Sequence, residues 1–205
     1  PSAPARVRYV ALGDSYTIGT SVDASDRFPD QLVARLAGQV DLELVANLGV
    51  NGYTTDDLIA DELPELPDLA PDFVTLLIGV NDDVRGSSMD RYRSNLDLIL
   101  GRILREVPAA RIVVVSIPDY TLTPAGGNFG DPVQQSAAIA QANAIMLAAA
   151  DVRGIAFVDI SAAANQAGVD RTLVANDGLH PSGAQYGLWV DLIEPVVIDL
   201  LAQAE

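Results

Sequence analysis

One histidine and one serine frame the chemistry open to this chain. The histidine is His180, in Asp177-Gly178-Leu179-His180-Pro181, the only imidazole among 205 residues. The serine is Ser15, which follows the apolar run Tyr9-Val10-Ala11-Leu12 through a Gly13-Asp14 turn. A serine hydroxyl is a weak nucleophile at neutral pH and needs a base within hydrogen-bond reach. His180 can be that base. Asp177 lies three residues earlier, and Gly178 leaves the turn pliable enough for the carboxylate to reach Nδ1. That contact would fix the tautomer and leave Nε2 for Ser15. Acyl transfer also needs donors for a developing oxyanion. The candidates are the backbone N–H groups of Ser15 and Gly52 and the side-chain amide of Asn81. A neutral amide stabilises a negative oxygen without holding a charge in the ground state.

Each of these residues also has an ordinary reading. Ser15, Gly52 and Asn81 suit turns, and a histidine before a helix suits a cap. Asp14 reads as the acceptor of a turn hydrogen bond. Asp82 and Asp83 could suggest a cation site, but a solvated loop is the expected reading. What separates the set from its parts is convergence, because every member falls at a strand exit or in a late loop.

The elements that must position them follow from periodicity. Tyr9–Leu12 reads as strand one, followed by a polar loop over Thr17–Arg27 and a helix over Phe28–Leu36. Leu42–Ala46 is strand two. A helix capped by Thr54 or Thr55 runs to about Leu63 and stops before Pro64 and Pro67. Phe73–Ile78, almost wholly apolar, fits a central strand covered on both faces. Met89–Glu106 is an amphipathic helix with Tyr92, Leu96, Ile99, Leu100 and Ile103 on one face. Arg111–Ile117 is strand four, Pro132–Val152 an Ala-rich helix and Ile155–Asp159 strand five. A short helix at Ser161–Ala167, a loop at Val169–His180 and a closing helix over Pro181–Leu201 complete the chain. Alternation of strand and helix through five strands implies an α/β fold with a parallel sheet and helices on both faces. In such sheets ligands bind outside the carboxyl ends of the strands, where Ser15 would lie.

Composition narrows the field. The absence of cysteine removes disulfides, thiolate catalysis and Cys-ligated zinc, and a single histidine removes a poly-His metal site. The net charge is −16 and every basic side chain is arginine, so nucleic acid and anionic lipid surfaces are disfavoured partners. No apolar run approaches the ~20 residues of a membrane span, so no stable membrane anchor is expected. No signal peptide is visible, yet the chain opens at Pro1 rather than Met. The expectation is a cytoplasmic protein or a secreted one with its leader removed. Residues 1–7, beginning Pro1-Ser2-Ala3-Pro4-Ala5, are expected to form a linker stub, with a single domain over 8–205.

Taken in order, Gly13-Asp14-Ser15, Asn47 through Gly52, Gly79-Val80-Asn81-Asp82 and Asp177-Gly178-Leu179-His180-Pro181 resemble the four sequence blocks of the GDSL (SGNH) hydrolase family. The resemblance spans from the first strand to the final helix. It implies a flavodoxin-like three-layer α/β/α sandwich and a catalytic domain needing no cofactor or metal. It makes Ser15 the nucleophile, His180 the base and Asp177 its orienter, with Ser15, Gly52 and Asn81 forming the oxyanion hole. Gly49 competes with Gly52 for the block-two position, and spacing from Asn47 favours Gly52. Tyr16 stands where the first block usually continues with Leu, a change that should affect pocket lining more than chemistry. The Gly-x-Ser-x-Gly pattern of α/β-hydrolases is absent, because Thr17 holds its last position.

The expected activity is serine esterase action on a small-molecule ester, short-acyl because no long apolar lid segment is evident. Thr121, Pro124 and Gly126 to Phe129 are expected to line the pocket. The resemblance also allows lysophospholipids, thioesters and acetylated sugars, although an aromatic content of 5% offers few stacking platforms for sugars. A ligand-binding domain of the same fold without catalysis is the alternative outside enzymes.

Overall fold

The computed structural model describes residues 6–202. Five strands form one sheet: β1 (Val7–Gly13), β2 (Leu42–Asn47), β3 (Phe73–Leu77), β4 (Ile112–Val115) and β5 (Ala156–Val158). All pairings are parallel and the spatial order is β2-β1-β3-β4-β5. The inner strands β3 and β4 are buried along their whole length, as their unbroken apolar and β-branched runs require. The edge strands β2 and β5 are partly exposed.

Around the sheet run α1 (Ser15–Ile18), α2 (Phe28–Leu36), α3 (Thr55–Asp57), α4 (Leu66–Leu69), α5 (Val80–Val84), α6 (Met89–Glu106), α7 (Pro132–Asp151), α8 (Ser161–Ala164) and α9 (Gly183–Ala202). The chain steps one way from β1 to β2, then crosses back over β1 and continues in the opposite direction. Right-handed crossovers therefore send α2 to one face and α4, α6 and α7 to the other. α9 returns to pack on α2, while α6 packs on α7. The result is a flavodoxin-like three-layer α/β/α sandwich. Phe28, Leu32, Tyr186, Trp189 and Ile193 fill one interlayer, and Tyr92, Leu96, Ile99 and Met146 contribute to the other.

The reversal fixes where a site can form. In β1, Tyr9 to Gly13 align residue by residue with Phe73 to Leu77 of β3, so both strands finish level. The turns after them emerge side by side at the point where the strand order reverses, which is where such sheets bind ligands.

Several element boundaries differ from the sequence reading. Val7 belongs to β1, pairing with Leu42, so the boundary drawn between residues 7 and 8 falls inside the sheet. The first five residues of that stub lie outside the described residues. Thr17–Arg27 is not all loop, since α1 starts at Ser15 and a 3₁₀ turn covers Ala24–Asp26. The helix from Thr55 does not stop at its prolines. It widens to a π turn over Leu58–Glu62, tightens to 3₁₀ over Leu63–Glu65 and continues as α4 to Leu69. Pro64 and Pro67 each fall in the first positions of a new piece, where a missing N–H costs no intrahelical bond. The short helix expected over Ser161–Ala167 is α8 followed by a 3₁₀ turn over Asn165–Gly168.

Candidate active site

Ser15 sits at the first position of α1, directly beyond β1. The preceding Asp14 caps the helix, its Oδ1 accepting the Tyr16 N–H at 3.0 Å. A helix this short exists because of that cap and of the left-handed Gly19 that ends it. At its first position a backbone N–H has no intrahelical acceptor, so the Ser15 N–H and hydroxyl emerge at the same place.

The second exit wraps around this turn. Asn47 ends β2 and donates from Nδ2 to the Thr17 carbonyl at 2.8 Å, while its Oδ1 accepts the Gly49 N–H at 3.2 Å. Gly49 is pressed against the turn from below. A Cβ there would stand 2.7 Å from the Ile18 nitrogen and 2.8 Å from the Asp14 carbonyl oxygen. Gly52, by contrast, lines the open cleft and has φ +84°, a left-handed conformation. Of the two competing glycines, Gly49 is a packing residue and Gly52 faces the cleft.

The third exit is α5. Asn81 lines the cleft, and its Nδ2 donates to the Tyr53 carbonyl at 2.8 Å. Arg85 at the end of α5 donates to the Gly52 carbonyl at 2.6 Å. Two side chains of one short helix therefore hold consecutive carbonyls of the Gly52 turn. Asp82 is not in a solvated loop as expected. It is buried and accepts from the Thr55 N–H at 2.9 Å and the Thr55 hydroxyl at 2.5 Å, pinning α3 to α5. Among the described residues no group of three or more His, Asp or Glu side chains is placed to hold a metal ion.

The fourth contribution comes from the loop between β5 and α9. An antiparallel bridge between Val174 and Pro181 closes it, with the Ala175 N–H donating to the His180 carbonyl at 2.8 Å. Within this closed turn Asp177 Oδ1 accepts the N–H groups of Leu179 and His180 at 2.8 and 2.9 Å. Its Oδ2 lies 2.6 Å from His180 Nδ1. Burial would raise the Asp177 carboxyl, but hydrogen bonds from Ser21, His180 and the two backbone N–H groups outweigh it and hold the group well below the usual carboxylate range. The His180 ring is buried against Tyr16, with centroids 5.6 Å apart, and Tyr16 packs in turn on Trp189.

Ser15, Gly52, Asn81 and His180 line one cleft of about 290 Å³, with Tyr16, Val80, Tyr120 and Phe129 among its walls. Asp177 stands behind His180. Of the loop residues expected in the lining, Phe129 is present. Thr121, Pro124 and Gly126 are not, and Tyr120 and Val84 take their place. A larger hollow of about 680 Å³ opens at the amino ends of the strands between Val7, Val40, Val107 and Leu201, but no hydroxyl or imidazole lines it.

Three nearby groups carried no sequence signal. Ser21 donates to Asp177 across 156 positions, at 2.6 Å. Arg85 bonds Gly52 across 33. Glu62, buried under β1, accepts the Gly13 N–H at 2.9 Å, and burial pushes its carboxyl up to about 9. Asp14 is likewise pushed up to about 7 by burial. Only the fold brings these groups to the site.

Residues 11–188 match the model of the GDSL-like lipase/acylhydrolase family. No curated protein matches the chain at a significant level. Among solved structures, LAE5, an alpha/beta hydrolase enzyme from the metagenome of Lake Arreo, Spain, is 24% identical. Their superposition covers 97% of this chain and 98% of LAE5 with a TM-score of 0.73. Axe2, an acetylxylan esterase from Geobacillus stearothermophilus, is 22% identical over 95% of both chains, with a TM-score of 0.74. The psychrotrophic esterase EstA from Pseudoalteromonas sp. is 16% identical, covering 95% of this chain and 98% of its own, with a TM-score of 0.71. At these identities the likeness is one of fold.

Proposed function

The chain belongs to the GDSL-like lipase/acylhydrolase family, and from that premise we propose a serine esterase that works through an acyl-enzyme on Ser15. His180 Nε2 takes the Ser15 proton as Oγ attacks the ester carbonyl carbon. Asp177 Oδ2 holds Nδ1–H and stabilises the imidazolium that forms. The carbonyl oxygen, now negative, is met by the N–H groups of Ser15 and Gly52 and by the Asn81 amide. That amide carries two hydrogens, so its bond to Tyr53 leaves one for the oxyanion. Collapse expels the alcohol, which takes its proton from His180. Water activated by the same ring then releases the acid and frees Ser15.

The observation that supports this reading is the meeting of Ser15, Gly52, Asn81 and His180 in one cleft, although they come from four separate connections. Ser15→Ala should lower turnover of p-nitrophenyl acetate by on the order of 10⁴-fold or more and abolish labelling by a fluorophosphonate probe. Retained labelling would assign the nucleophile elsewhere. No enzyme-dependent release above the Ala variant would favour a ligand-binding domain.

The compact cleft favours short acyl groups, and a series of p-nitrophenyl esters tests that directly. A maximum at long chains would turn the reading towards lysophospholipids or long-chain thioesters. Carbohydrate O-deacetylation is the second reading. It is supported by Tyr120 and Phe129, which meet edge to face at 5.6 Å beside the cleft, with Phe129 exposed enough to stack on a sugar ring. Release of acetate from acetylated xylan faster than from p-nitrophenyl acetate would favour it.

A further inference from the structure

We infer that Ser21 is a positioning residue for the base, a fourth member behind Ser15, His180 and Asp177. The inference rests on the proposed roles of those three. Asp177 Oδ2 accepts from two directions, from His180 Nδ1 at 2.6 Å and from the Ser21 hydroxyl at 2.6 Å. Oδ1 is occupied by the Leu179 and His180 N–H groups. Three of these four contacts come from Asp177's own turn. Of the four, only the Ser21 bond reaches Asp177 from the segment that carries Ser15, and it adds to the packing of Tyr16 on the His180 ring. It therefore links the nucleophile's loop to the base's loop behind the cleft, and fixes the distance the proton must travel.

The backbone of Ser21 supplies an independent observation. Ser21 has φ +70°, one of two non-glycine residues with positive φ among those described. It is the third residue of the turn Gly19–Val22, closed by a Val22 N–H to Gly19 carbonyl bond at 3.3 Å. Positive φ at that turn position favours Gly or Asn. A serine there is disfavoured by the backbone, and its one hydrogen bond to a side chain goes to Asp177. Strain of this kind persists where the surroundings over-determine it, and it clusters at functional sites. The contact also shapes charge. A hydroxyl donated to Oδ2 spreads the carboxylate charge that would otherwise concentrate on the imidazole side. The neighbouring titratable groups, Asp14 beside Ser15, Asp119 beside Tyr120 and the phenols of Tyr16, Tyr120 and Tyr186, stay as they are when the hydroxyl is removed.

Ser21→Gly separates the roles, because glycine suits the turn while removing the hydroxyl together with its Cβ. The expected result is a fold at least as stable as the parent, kcat lowered about 10-fold with KM nearly unchanged, and loss of activity on acidification beginning at higher pH. The acid limb of the profile should move to higher pH, since losing the shared hydrogen bond leaves more charge on Asp177. Ser21→Ala, which keeps the strained backbone, should give the same kinetic change with lower stability. Unchanged kcat and an unmoved acid limb in Ser21→Gly would overturn the inference while leaving the triad intact. If instead Asp177→Asn and His180→Ala retain full activity, the triad reading itself fails.

Discussion

Asn81 meets two demands with one side chain. Its amide nitrogen holds the Tyr53 carbonyl at 2.8 Å, and its remaining hydrogen is the one available to the cleft. Arg85, one turn later, holds the Gly52 carbonyl. The left-handed Gly52 is thus held through the carbonyls of Gly52 and Tyr53 where it lines the cleft. On the proposed mechanism, Asn81→Ala removes an oxyanion donor and loosens this turn together. kcat should fall by about 10²- to 10³-fold, the range for one lost oxyanion donor. KM for a neutral ester should change far less, and a parallel loss of both would count against an oxyanion role.

At the scale of elements, the π turn over Leu58–Glu62 has a function that its sequence conceals. It carries Glu62 beneath the end of β1, where the side chain satisfies the Gly13 N–H. Burial raises the Glu62 carboxyl from the ordinary glutamate range near 4.5 up to about 9. A raised folded value means that the native state holds a proton the unfolded chain would release. The resulting stabilisation is complete below about 4.5 and is lost as pH rises through about 9. Asp14, raised to about 7, adds the same sign over a lower window. Glu62→Gln should therefore lose less stability than the parent between pH 6 and pH 9 in urea titrations. Identical pH slopes would show that Glu62 is already ionised in the fold across this range and that burial does not raise its carboxyl.

What could be read in advance follows the same physical division. The helix at Met89–Glu106 and the one at Phe28–Leu36 were legible because one apolar face recurs at helical spacing along each. β3 was legible because a buried parallel strand is apolar on both sides. Ser15, Gly52, Asn81 and His180 were legible because each stands in a short block at a strand exit or late loop. The helical path from Thr55 to Leu69 was not, since its prolines read as stops until their places in successive pieces are known. Asp82 read as solvated because nothing local reveals its burial against Thr55. Ser21, Arg85 and Glu62 depend on partners far away in sequence, and no local pattern records such contacts.

For the molecule as a whole, charge governs what arrives at the cleft. Twenty-eight acidic residues face twelve arginines, and many of the arginines are already paired, as Arg6 is with Asp41, Arg91 with Asp56 and Arg153 with Asp97. The surrounding field is strongly negative and reaches about 10 Å at 0.1 M salt. An ester bearing a carboxylate on its acyl chain should show lower kcat/KM than a neutral ester of equal size at low ionic strength. Added salt should narrow that gap, and a gap insensitive to salt would place the discrimination in contacts rather than in the field.

The loop that carries His180 comes after all five strands and just before α9. During synthesis, every strand of the sheet and Ser15 leave the ribosome before His180 does. Until α9 follows, the face that Tyr186, Trp189, Val190, Ile193 and Val197 will cover stays open to solvent. On the proposed mechanism, turnover waits until translation has passed this last segment, and a nascent chain paused earlier leaves one apolar face of its sheet uncovered.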